Sequence, residues 1–277
     1  MPPNFVVVGH VVRDLSPDGS TRLGGTALHA AWTIARLGHP VGVVTRCADD
    51  LVVDGIPPGV EIVRASSAHT TTFENIYQPS GRVQTVHQVA EPIQVTDIPW
   101  EWLDAPVVLL GPVAGEIAPS FATRFRRSLV AVTAQGWLRR WDGRGRVRPT
   151  GPREAFVNLP PLGAMFLSRE DWTGAWEELE EACASIPILA VTLPEQGVRL
   201  RWGDAWHDIP AVPVSTVDPT GAGDVFAAAF LVRFFETRDP LTAARFAVCA
   251  AALSATGAGL AHVPDRTAVE DRLKSQE

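Results

Sequence analysis

Lysine is almost absent from this 277-residue chain: the single one is Lys274, close to the C-terminal end. A P-loop ATPase needs a motif lysine on the nucleotide phosphates, and a protein kinase needs a strand lysine paired with a helix glutamate. Neither site can be built from this sequence. Schiff-base chemistry, which also needs a lysine amine, is disfavoured on the same ground. Any phosphate chemistry must therefore use backbone amides, arginine and metal ions.

Cysteine is also scarce, with Cys47, Cys183 and Cys249 far apart and odd in number. They show no metal-ligand spacing and fit a reducing cytoplasm, so we predict a cytoplasmic protein. No apolar run is long enough to span a membrane. The apolar stretch from Phe5 to Val12 is short and lacks a basic flank, which predicts a buried strand and not a signal peptide. The net charge of −7 disfavours nucleic acid and anionic membranes as partners.

The most informative segment present is 217–224, Val-Asp-Pro-Thr-Gly-Ala-Gly-Asp, followed by an Ala-rich apolar stretch typical of a buried helix. Small residues let a ligand approach the backbone amides, and a helix N-terminus concentrates positive charge there. A phosphoryl group is the natural guest, and the closing carboxylate is placed to accept a proton. The predicted catalytic set is Gly221, Ala222, Gly223 and Asp224. If the short Gly-Ala-Gly-Asp segment is considered alone, an ordinary glycine-containing turn with an Asp at the start of a helix explains the same residues.

The extended segment resembles the signature of the PfkB/ribokinase family of carbohydrate and nucleoside kinases, and the resemblance covers nearly the whole chain. It implies ATP as donor, Mg²⁺ as cofactor, and a small sugar, polyol or nucleoside as acceptor. It also implies a monovalent cation near Asp218 and contact of Thr220 with the nucleotide. A homodimer formed through lid strands is a further implication, since exposed strand edges can pair.

Alternation of short apolar runs with helical patterns predicts an α/β fold with a doubly wound, mainly parallel sheet. The predicted helical patterns are 26–37 and 171–185. A small β lid is predicted to interrupt this single ribokinase-like domain of residues 1–277. Residues 68–95 form the lid, with 12–22 contributing, because two polar strands flank a turn at 78–81. An ordinary surface hairpin is the alternative.

The acceptor side of the resemblance lies in the N-terminal half. Asp14 follows the opening strand at the position that binds substrate hydroxyls, and a carboxylate reads vicinal hydroxyls well. Gly24 and Gly25 match the family's paired glycines at a helix start, where backbone approaches the sugar. His29 stands where sugar kinases of the family usually have asparagine, so the substrate is in question; a buried packing histidine is the alternative.

The residues predicted to bind ATP and Mg²⁺ depart from the family pattern at more positions than those predicted to bind the acceptor. The N-x-x-E motif that organises magnesium is replaced by Ser-Arg-Glu-Asp at 168–171, which keeps carboxylates at Asp171 and Glu170. A capped helix start explains the same residues. The nucleotide loop T-x-G-x-x-G keeps Thr192 and Gly197 but has a proline between them. Gly257 would help wall the adenine.

Residues 139–148 hold five arginines against one acid. One arginine could reach the ATP phosphates in place of the missing lysine, or the segment is a solvated basic hairpin. The sequence as a whole predicts transfer of the ATP γ-phosphoryl group to a hydroxyl of a small sugar or polyol, with Asp224 as base and 221–224 as anion hole. The alternatives are a nucleoside kinase and a ribokinase-like sensor without turnover.

Overall fold

The computed structural model describes residues 2–16, 18–78 and 81–276, and its main body is a nine-stranded sheet. The strands of the described residues, in chain order and including those of two smaller sheets, are β1 Phe5–Val8, β2 Val12–Leu15, β3 Thr21–Gly24, β4 Val41–Cys47, β5 Val60–Ser66, β6 Thr71–Gln78, β7 Gly81–Gln88, β8 Val107–Leu110, β9 Leu129–Thr133, β10 Arg139–Trp141, β11 Val147–Pro149, β12 Ala164–Ser168, β13 Ile188–Leu193, β14 Gly197–Trp202 and β15 Ala205–Pro210. Its helices are α1 Thr26–Arg36, α2 Pro152–Ala155, α3 Trp176–Ala182, α4 Ala222–Thr237, α5 Pro240–Ser254 and α6 Arg266–Lys274.

The large sheet has the order β15-β14-β13-β12-β9-β8-β1-β4-β5. Pairing is parallel from β5 through β13, and the last two strands add an antiparallel hairpin at one edge. The predicted doubly wound, mainly parallel sheet is therefore confirmed. Because parallel strands end at one edge, the loops that follow β9, β12 and β13 meet there.

Hydrophobic cores cover both faces of this sheet, as the apolar strands require. In β1, Phe5 and Val7 point into one core while Val6 and Val8 point into the other, and all four are at most 1% exposed. This is why the strand is apolar throughout instead of alternating. The first core is closed by α1, α4 and α5, whose small residues allow close helix packing.

A second sheet lies outside this body and contains β2, β3, β6 and β7 in the order β3-β2-β6-β7. It joins the segments 12–24 and 71–88, which overlap the residues predicted to form the lid, 68–95 and 12–22, and the role of this sheet as a lid stays a prediction. The strands β6 and β7 form an antiparallel hairpin; Pro79 and Ser80 of its expected turn lie outside the described residues. A short two-stranded sheet, β10–β11, meets the outer edge of β7 through a bridge between Thr85 and Arg146.

One predicted helix is shorter than expected. The pattern over 171–185 predicted a continuous helix, but residues 169–171 form a single 3₁₀ turn and α3 begins at Trp176. The reason lies in the intervening chain, where Trp172 is extended and Gly174 has a positive φ of 112°. Across the described ranges, no helix is long and apolar enough to cross a membrane.

Candidate active site

A cavity of about 1140 Å³ opens at the carboxyl ends of the parallel strands, between the large sheet and the second sheet. Thr133 from the end of β9, Ser168 from the end of β12 and Thr192 near the end of β13 all line it. The loop that precedes α4 forms one wall, and Phe73 and Asn75 of the second sheet form another. The cavity therefore brings together the two halves of the chain that carry the predicted site residues.

Asp224 lies in the first turn of α4, and its side chain is partly buried in the cavity wall. Its Oδ1 accepts a hydrogen bond of 2.7 Å from the hydroxyl of Thr26, at the start of α1. Burial raises the pKa of this carboxyl above its ordinary value, although His29, the Thr26 hydroxyl and Arg139 oppose the shift. A carboxylate that loses hydration in this way is a stronger base toward a bound hydroxyl.

The loop beside this carboxylate is a glycine-containing turn at the N-terminus of α4. Gly221 adopts a left-handed conformation with φ 81°, and Ala222 begins α4 with its amide donating to the Pro219 carbonyl. First-turn amides of a helix lack intrahelical acceptors and point outward along the helix axis. Thr220, Gly221, Ala222 and Gly223 all line the cavity. These residues lie next to the carboxylate of Asp224, and their role in binding a phosphoryl group stays a prediction.

His29 is 4% exposed and its ring occupies the space that a side chain at Gly221 would need. Its Nδ1 lies 3.1 Å from the carbonyl oxygen of Gly25. A carbonyl can only accept, so this contact places a proton on Nδ1. The histidine therefore both packs and lines the cavity, so the two readings of this residue are compatible.

Asp14 projects from β2 into the polar end of the cavity. A chain of hydrogen bonds holds it from the lid: Gln84 Nε2 donates to Asn75 Oδ1 at 2.8 Å, and Asn75 Nδ2 donates to Asp14 Oδ1 at 3.1 Å. The other oxygen, Oδ2, lies against the Cα of Gly24, which does not itself line the cavity. Gly25 does line it.

Asp171 and Glu170 lie together on the cavity wall after β12. Asp171 accepts from the backbone amide of Ser168 and from Gln135 Nε2, each at 2.8 Å, so it caps the 3₁₀ turn and still faces the cavity. Within residues 2–16, 18–78 and 81–276, no group of three or more His, Cys, Asp or Glu side chains is arranged to hold a metal ion. Two carboxylates fit Mg²⁺ that keeps its waters and is bound mainly by substrate phosphates.

The opposite end of the cavity is apolar and suits an aromatic ring. Thr192 and Gly197 line its approach, where Pro194 replaces the family's first glycine. The apolar residues lining this end are Val212, Val214, Val248, Ala251, Ala252 and Ala255. Gly257 lies outside the cavity lining, because its Cα packs against the imidazole of His262 while the last turns of α5 form the wall.

Asp218, next to which the resemblance places a monovalent cation, is already engaged on two sides. Its Oδ1 accepts from the amide of Thr220 at 2.9 Å, and its Oδ2 lies 3.7 Å from Nη1 of Arg22 in β3. The arginine is 60% exposed, so this is a weak surface pair that a cation could displace.

Several lining residues were not singled out from the sequence. They are Thr26, Phe73, Asn75, Gln84, Thr133, Gln135 and, by its individual position, Arg139. The Thr133 hydroxyl is buried and has no hydrogen-bond partner among the described atoms, which leaves it available to a ligand. The sequence signal that could have identified Thr133 and Gln135 as cavity residues was their position at and just after the end of a predicted strand. The lid residues carried no sequence signal beyond polarity.

Comparison with known proteins gives this arrangement its class. Residues 156–267 match the family model described as pfkB family carbohydrate kinase. The cytidine kinase of Thermococcus kodakarensis is 28% identical over 262 residues, covering 85% of this chain and 90% of that protein. The predicted resemblance to the PfkB/ribokinase family is confirmed by this match, and these similarities support a sugar or nucleoside kinase.

Solved structures show the same fold over nearly the full length. The Arabidopsis thaliana ribokinase complexed with ribose and ATP superimposes with a TM-score of 0.74 at 23% identity, covering 99% of both chains. A pyrophosphate-dependent kinase in the ribokinase family, complexed with a pyrophosphate analog and myo-inositol, superimposes with a TM-score of 0.77 at 23% identity. That match covers 98% of this chain and 99% of the other.

Proposed function

We propose that this protein transfers the γ-phosphoryl group of ATP to a hydroxyl of a small sugar or polyol. The observation that carries the proposal is the position of Asp224, partly buried at a helix N-terminus between a polar and an apolar end of one cavity. The polar end, around Asp14, suits an acceptor rich in hydroxyls. The apolar end suits the adenine of the donor, and the anion loop lies between them.

In the proposed mechanism, Asp14 and Asn75 hold the acceptor so that one hydroxyl faces Asp224. Asp224 takes the proton of that hydroxyl as its oxygen attacks the γ-phosphorus in line with the departing ADP oxygen. The amides of Gly221 to Asp224 stabilise the charge on the group in transfer. Bound Mg²⁺ would neutralise charge on the donor phosphates, with Asp171 and Glu170 as the residues that hold it.

The choice of ATP over pyrophosphate as donor rests on the size and character of the far end of the cavity. Pyrophosphate has no group that would occupy the apolar wall formed by Val212, Val214 and Val248. An adenine ring would bury apolar surface there, at a gain of about 25 cal/mol per Å². A structural relative that is pyrophosphate-dependent makes this donor a necessary comparison in any assay.

A nucleoside kinase is the second candidate, because the cytidine kinase of Thermococcus kodakarensis matches most of this chain. The acceptor end also offers an aromatic wall at Phe73, on which a base could stack. The hydrogen-bond chain from Gln84 to Asp14 favours the polyol, since it fixes acceptors and donors for hydroxyl groups.

The deciding experiment measures ADP formation from Mg-ATP, and phosphate formation from pyrophosphate, with inositols, pentoses, hexoses and nucleosides as acceptors. The Asp224→Asn variant is the control. Stimulation by one polyol or sugar, abolished in the variant, is the expected result. Stimulation by a nucleoside alone would replace the proposal by the second candidate. Nucleotide binding without stimulation by any acceptor would support the sensor without turnover and contradict both kinase proposals.

A further inference from the structure

The described chain passes between the large sheet and the second sheet four times: after β1, after β3, after β5 and after β7. Three of these crossings meet at the imidazole of His10, which follows β1 and is 0% exposed. His10 is not among the described residues that line the cavity, so the proposed phosphoryl transfer gives it no role. Buried polar groups are hydrogen-bonded, and the partners of this ring indicate what it does.

Both ring nitrogens of His10 contact the chain where it enters and leaves the second sheet. Nε2 lies 3.0 Å from the carbonyl oxygen of Glu91, shortly after β7. Nδ1 lies 2.7 Å from the hydroxyl oxygen of Thr71, the first residue of β6. The amide of Ala90 donates to the same hydroxyl oxygen at 3.0 Å. One imidazole therefore joins the start of β6 to the segment that leaves β7.

A neutral imidazole satisfies all of these contacts together. A carbonyl can only accept, so Nε2 of His10 carries a proton and donates it to Glu91. In a neutral ring Nδ1 is then an acceptor, and the Thr71 hydroxyl donates to it while accepting from the Ala90 amide. A protonated ring would leave the hydroxyl hydrogen of Thr71 without an acceptor among these groups. A buried network whose members are all satisfied favours one arrangement of the elements it joins.

The main body holds the backbone of the same histidine. The amide of His10 donates to Oε1 of Glu116 at 3.0 Å, and Glu116 is 2% exposed. This carboxylate also accepts from two amides in the loop after β8, and the backbone carbonyl of Glu116 accepts from Ile93 at 3.1 Å. His10 is therefore fixed to the main body through its backbone and to the second sheet through its ring. We call His10, Thr71, Glu91 and Glu116 the junction.

The predicted acceptor-binding residues follow the junction closely in the chain. Asp14 lies four residues after His10, and Asn75 lies four residues after Thr71. Their strands, β2 and β6, pair in parallel from their first residues, so the bond between His10 and Thr71 lies at the start of that pairing. A rotation of the second sheet at the junction would move Asp14 and Asn75 relative to Asp224, which α1 and α4 hold independently.

We propose that His10 is a positioning residue, whose neutral imidazole fixes the second sheet over the cavity and thereby sets the distance from the acceptor-binding groups to Asp224. The effect on the acceptor rests on the proposed function, whereas the position of the sheet does not. The apolar end of the cavity is lined by Val248, Ala251 and other residues of the main body. Nucleotide affinity should therefore be independent of His10.

The kinetic test compares His10→Leu, Thr71→Val and the double variant with Ile186→Val. Leucine fills the site of the ring without hydrogen-bonding, and valine removes the Thr71 hydroxyl. Ile186 is buried in the core between α3 and β13, so its truncation controls for a general loss of stability. We expect the acceptor KM to rise about tenfold in His10→Leu, with ADP affinity within about twofold of the wild type. The two junction losses should be less than additive, because each single change breaks the same bond.

A distance measurement tests the position of the second sheet without reference to the reaction. Spin labels are placed at Thr21, exposed in β3, and at Arg127, whose side chain is 80% exposed on the main body. The native cysteines are buried and react slowly with the label. We expect pulsed electron paramagnetic resonance to show a shifted or broader distance distribution in His10→Leu and Thr71→Val. Ile186→Val should match the wild type.

An unchanged distance distribution in both junction variants would overturn the proposal, as would a rise in KM no larger than that of Ile186→Val. An equal loss of ADP affinity would also overturn it, because the junction would then support the whole fold. Thermal melting shows whether each variant folds, and Thr71→Val retains the test if His10→Leu does not. A wild type that phosphorylates no acceptor would overturn the proposed function, and the distance distribution alone would then decide the role of His10.

Discussion

The two walls of the cavity are built in opposite ways. The wall that carries Asp224 belongs to the main body, where nine residues of α4 are buried and the carboxyl is held by Thr26 from α1. The wall formed by the second sheet combines a small apolar cluster around Phe73 and Val86 with polar side chains, and His87 and Glu74 form a half-exposed pair there. A well-packed wall can fix reacting groups in place, whereas a thin polar sheet can exchange acceptor contacts with little loss of stability.

This contrast predicts a division of roles between the walls. Changes at the packed wall should affect the rate of phosphoryl transfer with any acceptor. Changes at the lid wall should affect which acceptor is used and how well it binds. Steady-state kinetics separates the two effects, because loss of transition-state contacts lowers kcat while loss of uniform acceptor binding raises KM.

The largest effect is expected for Asp224→Asn. Asparagine keeps the acceptor for the Thr26 hydroxyl but cannot take the proton of the substrate hydroxyl, so kcat should fall by roughly 10²–10⁴-fold. ADP affinity, measured by calorimetry, should be nearly unchanged. A variant with near-normal kcat on the acceptor identified in the panel would remove Asp224 from the role of base.

The same substitution should stabilise the protein at neutral pH. Burial raises the folded-state pKa of Asp224 above its ordinary value of 3.8, so the folded chain binds this proton more tightly. The favourable contribution is complete below that value and is lost as pH rises through the raised pKa. We therefore expect a higher Tm for Asp224→Asn at pH 7 and convergence of the two Tm values as the pH falls to about 4. A lower Tm at pH 7 would contradict the raised pKa of this carboxyl.

The next largest effect is expected for Gly221→Ala. A Cβ at this position would lie 2.3 Å from the His29 ring, and the left-handed φ of 81° disfavours a side chain. The anion loop or the imidazole must move, so kcat should fall by about 10²–10³-fold, as for loss of oxyanion donors. The double variant Gly221→Ala, His29→Ala should recover part of kcat if the ring contact is the cause. Additive losses would show that the backbone conformation alone is responsible.

The loop at 221–224 and its contact with His29 illustrate which features could be predicted from the sequence and which could not. The turn at Gly221 and the helix start that follows it were predictable because their signals lie in consecutive residues. The contact between Gly221 and His29 joins positions 192 residues apart, and no local pattern specifies it. The large sheet was predictable for the same reason, since each of its apolar strands is a local run of the sequence. The helix α3 is shorter than the predicted 171–185 because an extended residue and a left-handed glycine precede it.

The attachment of the lid is a feature that the sequence analysis did not provide. The amide of Val86 in β7 donates to the carbonyl of Gly145 at 2.8 Å, so the β10–β11 hairpin supports the outer edge of the lid. A side chain at Gly145 would lie 2.1 Å from the Val86 carbonyl oxygen. The lid position therefore depends on a segment that looked like an independent basic hairpin.

We expect Gly145→Val to displace β7 and raise the acceptor KM by about tenfold, with ADP affinity unchanged. Gly143→Val is the matched control, since its side chain would meet open space in the same turn and should leave KM unchanged. Gly203→Val, at a left-handed position of the β14–β15 turn without close neighbours, controls for backbone strain. An equal KM for Gly145→Val and Gly143→Val would show that the hairpin does not position the lid.

The smallest effect is expected inside the lid, at Gln84. Its amide fixes the orientation of Asn75, which in turn donates to Asp14, so Gln84→Leu should release both acceptor-binding groups without touching the reacting atoms. Loss of one such neutral hydrogen bond corresponds to roughly 3- to 10-fold in kcat/KM, expressed through KM. The discrimination between epimeric acceptors should fall with it, because a mobile Asn75 no longer presents a fixed donor. Competition assays between two epimers measure this ratio directly. A fall in kcat with an unchanged epimer ratio would contradict the division between a lid that selects the acceptor and a core that transfers the phosphoryl group.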